Sequence, residues 1–186
     1  MDCFVAVFLA MTTLNNIIAE YPMDTLLPLA EKIAASLIAR KETVAVAESS
    51  TGGLISAALL AVPGASAYYR GGGVIYTPRA RAALVNITKD EMEAIGNRGA
   101  TEPYATLLAN RARDLLNTTW GLSETGATGP SGNRYGDAAG HSCMAVAGPL
   151  TRVITLETGS DDRVANMRAF ALHAMELFAD TIGAAR

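Results

Sequence analysis

The chain is poor in the residues that build metal and disulfide sites. Its 186 residues include only two cysteines, Cys3 and Cys143, and two histidines, His141 and His173. Two cysteines this far apart predict neither a disulfide framework nor a zinc-binding motif. Their scarcity is typical of a reducing compartment, so we expect a cytoplasmic protein that uses no metal and no cofactor.

Positive charge and long apolar runs are scarce as well. Lysine and arginine number 15 against 18 aspartate and glutamate residues, which leaves a net charge of -3. This balance argues against binding nucleic acid through a broad basic face. The apolar stretch at residues 1–11 is too short to span a bilayer and lacks a basic segment, so we expect neither a membrane protein nor a signal peptide. We interpret residues 1–22 as an extension of one domain formed by residues 23–186.

The order of the helix and strand patterns predicts a layered α/β fold. Hydrophobic residues make up 50% of the chain and charged residues 18%, which is enough apolar material for one core. We predict helices at 24–40, 51–61, 78–85, 88–95, 101–117 and after Asp161, and strands at 44–47, 67–76, 119–124, 141–147 and 152–157. The last two strands are joined by a short turn, so the alternation predicts a three-layer α/β/α sandwich with a mixed, mostly parallel sheet.

The strongest functional signal is the run Glu-Ser-Ser-Thr-Gly-Gly at residues 48–53. It stands between a strand pattern and a helix pattern, so we expect a tight turn that places Ser49 beside a helix N-terminus. The backbone N–H groups of residues 51–53 can then hold a phosphate or an oxyanion. Two plainer interpretations stay open, because a serine here can be an N-cap and Glu48 can be a capping carboxylate.

A second glycine-rich segment spans residues 125–132. It contains three glycines, two threonines and one serine, and such loops can present backbone N–H groups to a phosphate. Arg163 and Arg168 lie near the start of the last helix and are either phosphate ligands or part of a solvated face. His141 is an alternative general base for Ser49, in a serine–histidine arrangement.

Several motifs in this order resemble the CinA C-terminal domain family, the PncC-like nicotinamide-nucleotide amidases. The family's motifs Ala-Glu-Ser-Cys-Thr-Gly-Gly, Pro-Gly-Ser-Ser, a strand ending in Tyr-Ser-Asn, Thr-Gly-x-Ala-Gly-Pro and Arg-x-x-x-x-Arg resemble residues 47–53, 63–66, 73–78, 125–130 and 163–168. The resemblance extends over roughly residues 24 to 183. It is specific because several motifs match in order, whereas a single Thr-Gly-Gly would carry little information.

The resemblance implies hydrolysis of the carboxamide of nicotinamide mononucleotide to nicotinate mononucleotide and ammonia. It implies Ser49 as the nucleophile, Tyr76 beside it, and an assisting lysine five residues after that tyrosine. This chain has Arg81 at the lysine position and Ser50 at the family's cysteine position. Arginine stays protonated and cannot act as a general base, but its charge can stabilise the phenolate of Tyr76 as the base.

The predicted site therefore combines a catalytic set with a binding set. The catalytic residues are Ser49, Tyr76 and Arg81. The substrate-binding residues are Glu48, Ser50, Thr51, Gly52, Gly53, Thr125, Gly126, Thr128, Gly129 and Arg163. We expect a small phosphorylated nucleotide as the ligand and a homodimer as the assembly. Two alternatives stay open: a module that binds a phosphorylated pyridine nucleotide without turnover, and an amidase for another small amide.

Overall fold

The computed structural model describes residues 23–185, so the predicted extension at residues 1–22 lies outside the described part. The helices there are α1 (Met23–Arg40), α2 (Leu54–Ala61), α3 (Pro78–Val85), α4 (Lys89–Ala94), α5 (Glu102–Leu116) and α6 (Arg163–Ala184). The strands are β1 (Val44–Glu48), β2 (Tyr69–Val74), β3 (Trp120–Ala127), β4 (His141–Ala147) and β5 (Arg152–Glu157).

The five strands form one mixed sheet in the order β2-β1-β3-β4-β5. Strand β1 pairs in parallel with both β2 and β3, and β4 runs antiparallel between β3 and β5. Four of the five strands therefore point the same way, which confirms the predicted mixed and mostly parallel sheet. Strand β1 is buried at every position, as expected for a central strand that is covered on both faces.

Helices cover both faces of the sheet and create two apolar cores. Helices α1, α2 and α6 pack on one face, where the ring of Trp120 meets that of Phe178 edge to face at 6.0 Å. Helices α3, α4 and α5 supply buried residues to the other core, among them Met92 and Leu108. This arrangement is the predicted three-layer sandwich, and it leaves the strand ends at the sheet's edges open for a site.

The glycines of β2 allow this strand to lie close to β1. Pairing between β1 and β2 shifts register after Val44. A side chain at Gly72 would place its Cβ atom 2.6 Å from the carbonyl oxygen of Val46. Only glycine allows the two strands to approach this closely.

Several element boundaries differ from the sequence predictions. Strand β2 spans Tyr69–Val74 rather than residues 67–76, and helix α2 begins at Leu54 rather than at residue 51. Strand β3 continues to Ala127, so the predicted loop at 125–132 starts as strand. Asp162, not Asp161, caps α6, because its carboxylate accepts the N–H groups of residues 164 and 165 at 3.0 Å.

Candidate functional site at the ends of β1 and β3

The two glycine-rich motifs meet at one edge of the sheet. Strands β1 and β3 are parallel neighbours, so their carboxyl ends lie side by side. The turn at residues 49–53 follows β1, and the loop at residues 128–140 follows β3. Ligands of open α/β sheets bind at this kind of edge, outside the carboxyl ends of the strands.

The last residue of β1, Glu48, caps helix α2. Its buried carboxylate accepts the N–H groups of Gly53, Ile55 and Ser56 at 2.8 to 3.0 Å. It also accepts the hydroxyl of Thr51 at 2.8 Å. These bonds satisfy donors that would be unpaired at the helix start and place a negative charge at its positive end. The capping interpretation of Glu48 is therefore the one that the structure supports.

A second buried carboxylate, Glu124 of β3, holds the same turn from the neighbouring strand. It accepts the N–H groups of Ser49 and Thr51 at 3.2 and 2.9 Å. The hydroxyls of Ser50 and Ser142 also donate to it, the latter at 3.0 Å. Burial raises the pKa of Glu124, although these hydrogen bonds act in the opposite direction.

Sequence reasoning missed Glu124. It ended the third strand at this residue, whereas the structure places Glu124 inside a strand that is buried over most of its length. A lone acidic residue within such a strand is the signal that could have identified it, because a buried charge needs hydrogen-bonding partners.

The N–H groups of residues 51–53, predicted to hold a phosphate or an oxyanion, all have acceptors within the protein. Those of Thr51 and Gly53 donate to the two buried carboxylates, and that of Gly52 donates to the carbonyl of Ser49 at 3.3 Å. Within the described residues, the N–H of Ser50 is the donor of this turn that has no acceptor. An N–H on the residue after a nucleophile is a common part of an oxyanion hole.

A cavity of about 370 Å³ opens beside Ser49, and we call it the serine cavity. Tyr76, Arg81, Tyr104 and Tyr135 also line it. Its volume is within the range of small-molecule sites. The structure thus brings together the three residues that were predicted to be catalytic.

A smaller cavity of about 240 Å³ adjoins it, and we call this one the loop cavity. It is lined by Ser50, by most of residues 126–133 and by Arg163, and Tyr76 lines both cavities. One guanidinium nitrogen of Arg163 donates to the carbonyl of Gly129 at 2.7 Å, and another lies 3.5 Å from the Tyr76 hydroxyl. The arginine next to Tyr76 is therefore Arg163, whereas the sequence had suggested Arg81.

The predicted site residues divide into two groups. The residues that line one or both cavities are Ser49, Ser50, Tyr76, Arg81, Thr125, Gly126, Thr128, Gly129 and Arg163. The residues that line neither are Glu48, Thr51, Gly52 and Gly53. The second group builds the turn, so we interpret it as support for Ser49 rather than as ligand contacts.

Arg81 has no acidic partner. Its guanidinium carbon lies 5.8 Å from the ring centroid of Tyr104, and its Nε atom is buried without a hydrogen-bond partner. It forms no ion pair with any residue in the range 23–185. Burial raises the pKa of Tyr104, with the charge of Arg81 acting against it.

His141 does not offer a free nitrogen to Ser49. Its Nδ1 atom bonds the carboxylate of Glu157, and its Nε2 atom lies 2.8 Å from the carbonyl of Ala100. Both partners are acceptors, so both ring nitrogens act as donors. Burial lowers the pKa of His141, but these contacts outweigh burial and leave the pKa raised. His141 thus contacts the carbonyl of Ala100, a residue that lines the serine cavity. These contacts do not support the alternative in which His141 is the general base for Ser49.

The two cavities carry positive charge only. Arg81 and Arg134 line the serine cavity, Arg163 lines the loop cavity, and no aspartate or glutamate lines either one. The lining of both cavities therefore suits an anionic small molecule.

Among the described residues, no three histidine, cysteine or acidic side chains are grouped so that they could hold a metal ion. No helix between residues 23 and 185 is long and apolar enough to cross a membrane.

Comparison with known proteins matches the chain to one family. The model of the CinA C-terminal domain matches residues 26–182. A CinA-like protein of Gloeobacter violaceus is 39% identical over 133 residues, which are 71% of this chain and 31% of that protein. Another, from Anaeromyxobacter sp. strain K, is 38% identical over 152 residues, 80% of this chain and 37% of that protein. The chain thus spans about a third of the length of these curated relatives.

Solved structures show the same fold. A competence-damaged protein (CinA) superfamily protein from Enterobacter cloacae has a TM-score of 0.77 at 24% identity, over 84% of this chain and 92% of that one. The competence/damage-inducible protein CihA from Agrobacterium tumefaciens has a TM-score of 0.76 at 24% identity, over 84% and 95%. With the family model covering nearly the whole described region, the chain belongs to the CinA C-terminal domain family.

Proposed function

We propose that this chain hydrolyses the carboxamide of nicotinamide mononucleotide, with Ser49 as the nucleophile. The observation that carries the proposal is the position of Ser49, on a turn that two buried carboxylates hold, in the wall of a 370 Å³ cavity. The positive lining suits a phosphorylated ligand. Membership of the family supports the same reaction.

The proposed reaction proceeds through an acyl-enzyme. The Oγ atom of Ser49 attacks the carboxamide carbon, and its proton passes to the side-chain oxygen of Tyr76 as the general base, which lies 3.5 Å from a guanidinium nitrogen of Arg163. The backbone N–H of Ser50, which has no acceptor within the described residues, donates to the oxyanion, and such a donor lowers the barrier by about 3 kcal/mol. The proton then moves to the nitrogen as the C–N bond breaks and ammonia leaves. Water hydrolyses the resulting ester and restores the Ser49 hydroxyl.

The loop cavity provides a place for the phosphate. Arg163 lies in its wall, and Thr128 and Ser131 add hydroxyls to the lining. The two cavities adjoin at Tyr76, so one nucleotide can reach from the loop cavity to Ser49. In this proposal the phosphate and the carboxamide occupy separate positions of one continuous site.

The direct test is ammonia release from nicotinamide mononucleotide. We expect Ser49→Ala to lower kcat by about a thousandfold or more, because the nucleophile is lost. Ser66→Ala is the matched control, since Ser66 is an exposed serine outside both cavities. Full activity of a folded Ser49→Ala variant would refute the serine mechanism.

A binding module without turnover is the second candidate. Arg81 favours it, because the family's lysine can serve as a base and an arginine cannot. Calorimetry that detects the nucleotide, together with no ammonia release by the folded protein, would support this candidate over the amidase. Ammonia release from a panel of other small amides tests the third possibility, an amidase with a different substrate.

A further inference from the structure

Arg81 is an exception among the partly buried arginines of this protein. Arg111 donates to the carbonyls of Val85 and Asn86 and pairs with Glu91. By contrast, the Nε atom of Arg81 is buried without a hydrogen-bond partner, and leaving a buried donor unpaired is unfavourable. A group kept at such a cost in a cavity wall is a candidate for contact with a ligand.

The surroundings of Arg81 hold it in place and leave its charge available. The face of the Tyr104 ring lies 5.8 Å from the guanidinium carbon, a cation–π distance. The cavity that it lines contains no acidic side chain, and Ser49 lies in the same wall. The other arginine of this cavity, Arg134, is exposed and donates to the hydroxyl of Tyr135 at 2.6 Å.

The planar fork of a guanidinium favours one class of ligand group. A carboxylate accepts two parallel hydrogen bonds from it, and both are charge-assisted. A carboxamide offers one oxygen as acceptor, and its NH₂ group can only donate. In the loop cavity Arg163 is available for a phosphate, so Arg81 is not needed there.

We propose that Arg81 binds a carboxylate of the ligand, so that the serine cavity holds a pyridine carboxylate nucleotide more tightly than the corresponding carboxamide. The choice of this nucleotide pair rests on the proposed function. In an active amidase, the acid product is then retained more strongly than the substrate. Arg81 thus determines specificity at the carboxyl end of the ligand.

The test compares nicotinate mononucleotide with nicotinamide mononucleotide by calorimetry in about 0.15 M salt, where long-range charge effects are screened. All proteins carry Ser49→Ala, so that the amide survives the titration. We expect the acid to bind about tenfold to a hundredfold more tightly, the range for a hydrogen bond to a charged group. Arg81→Gln should abolish this ratio, and Arg81→Lys should reduce it because it keeps the charge but loses the fork.

Arg79→Gln is the matched control. Arg79 lies on the same helix, is exposed and lines neither cavity, so its loss should leave the ratio unchanged. Circular dichroism checks the fold of each variant. If Arg81→Gln does not fold, the affinity ratio of Arg81→Lys decides the test.

Several outcomes would overturn the proposal. These are equal affinity for the two nucleotides, a preference that survives without Arg81, equal weakening of both ligands, or no binding of either one. Ammonia release by the chain with Ser49 intact tests the amidase separately. Turnover without acid preference refutes only the role of Arg81, and acid preference without turnover refutes only the amidase.

Discussion

Glu48 and Glu124 hold the same turn but differ in how they do so. Both carboxylates are fully buried, and both accept hydrogen bonds from the residues around Ser49. Glu48 accepts from groups at most eight residues ahead in the chain, at the start of α2. Glu124 accepts from the N–H of Ser49, which is 75 residues away in sequence. One carboxylate therefore builds a helix end, and the other fastens that helix end to the neighbouring strand.

The comparison also separates two electrostatic environments. The three N–H groups that Glu48 accepts belong to the start of a helix, where the macrodipole favours negative charge. Glu124 has two N–H groups and the hydroxyls of Ser50, Thr51 and Ser142, and burial still raises its pKa. The lesson is that the number and orientation of its hydrogen-bond donors decide how a buried carboxylate is accommodated.

The largest effect should come from removing Glu48. Glu48→Ala leaves the first donors of α2 unpaired inside the protein, so we expect a loss of about 3–5 kcal/mol in the free energy of unfolding. Urea unfolding measures it, with Glu48→Gln as a second variant if the alanine variant does not fold. Glu31→Ala removes an exposed carboxylate on α1 and should change stability by less than about 0.5 kcal/mol. Equal losses in the Glu48 and Glu31 variants would show that the cap is not stabilising.

An intermediate effect should appear as pH dependence at Glu124. Because its pKa is higher in the folded protein, the native state keeps a proton that the unfolded state has released. Stability should therefore fall as pH rises from about 4.3, the ordinary value for glutamate, through the raised pKa. Glu124→Gln removes this fall, whereas Glu31→Gln leaves it in place. Urea midpoints across this pH range check the prediction, and an unchanged slope in Glu124→Gln would contradict it.

The smallest effect should come from His141, which also has a raised pKa but a half-exposed partner. Its contribution is present below its unfolded pKa of about 6.5 and is lost as pH rises through the folded pKa. The Glu157 side chain is 59% exposed, so we expect about 1 kcal/mol or less. His141→Gln should remove this step from the stability curve, and His173→Gln should not. A step that persists without His141 would assign it to another group.

Local sequence patterns predicted the elements well where the determinants lie close together. The predicted helix at 88–95 contains α4, which a capping box of Thr88 and Glu91 begins, and the predicted strand at 152–157 is β5 with the same bounds. Both depend on residues a few positions apart, so no knowledge of the fold is needed. The position of Ser49 on a turn after a buried strand was predictable for the same reason.

The remaining features of the site depend on contacts between distant segments. The sequence gives no sign that the N–H groups of residues 51–53 have acceptors within the protein. In the structure, Glu124 of β3 accepts the N–H of Thr51. The neighbour of Tyr76 is Arg163, 87 residues away, rather than Arg81 on the adjacent helix. Spacing along the chain carries no information on either contact, because sheet order and helix packing decide both.

The bond from Ser49 to Glu124 has a consequence for the order of folding. A chain that has emerged only as far as α2 contains Glu48 and can cap its helix, but Glu124 has not yet been synthesised. The turn that carries Ser49 becomes complete only after β3 has paired with β1, which requires closure of a loop of more than 70 residues. The turn of Ser49, the proposed nucleophile, is thus assembled late, and reactivity at Ser49 would report that the central strands have paired.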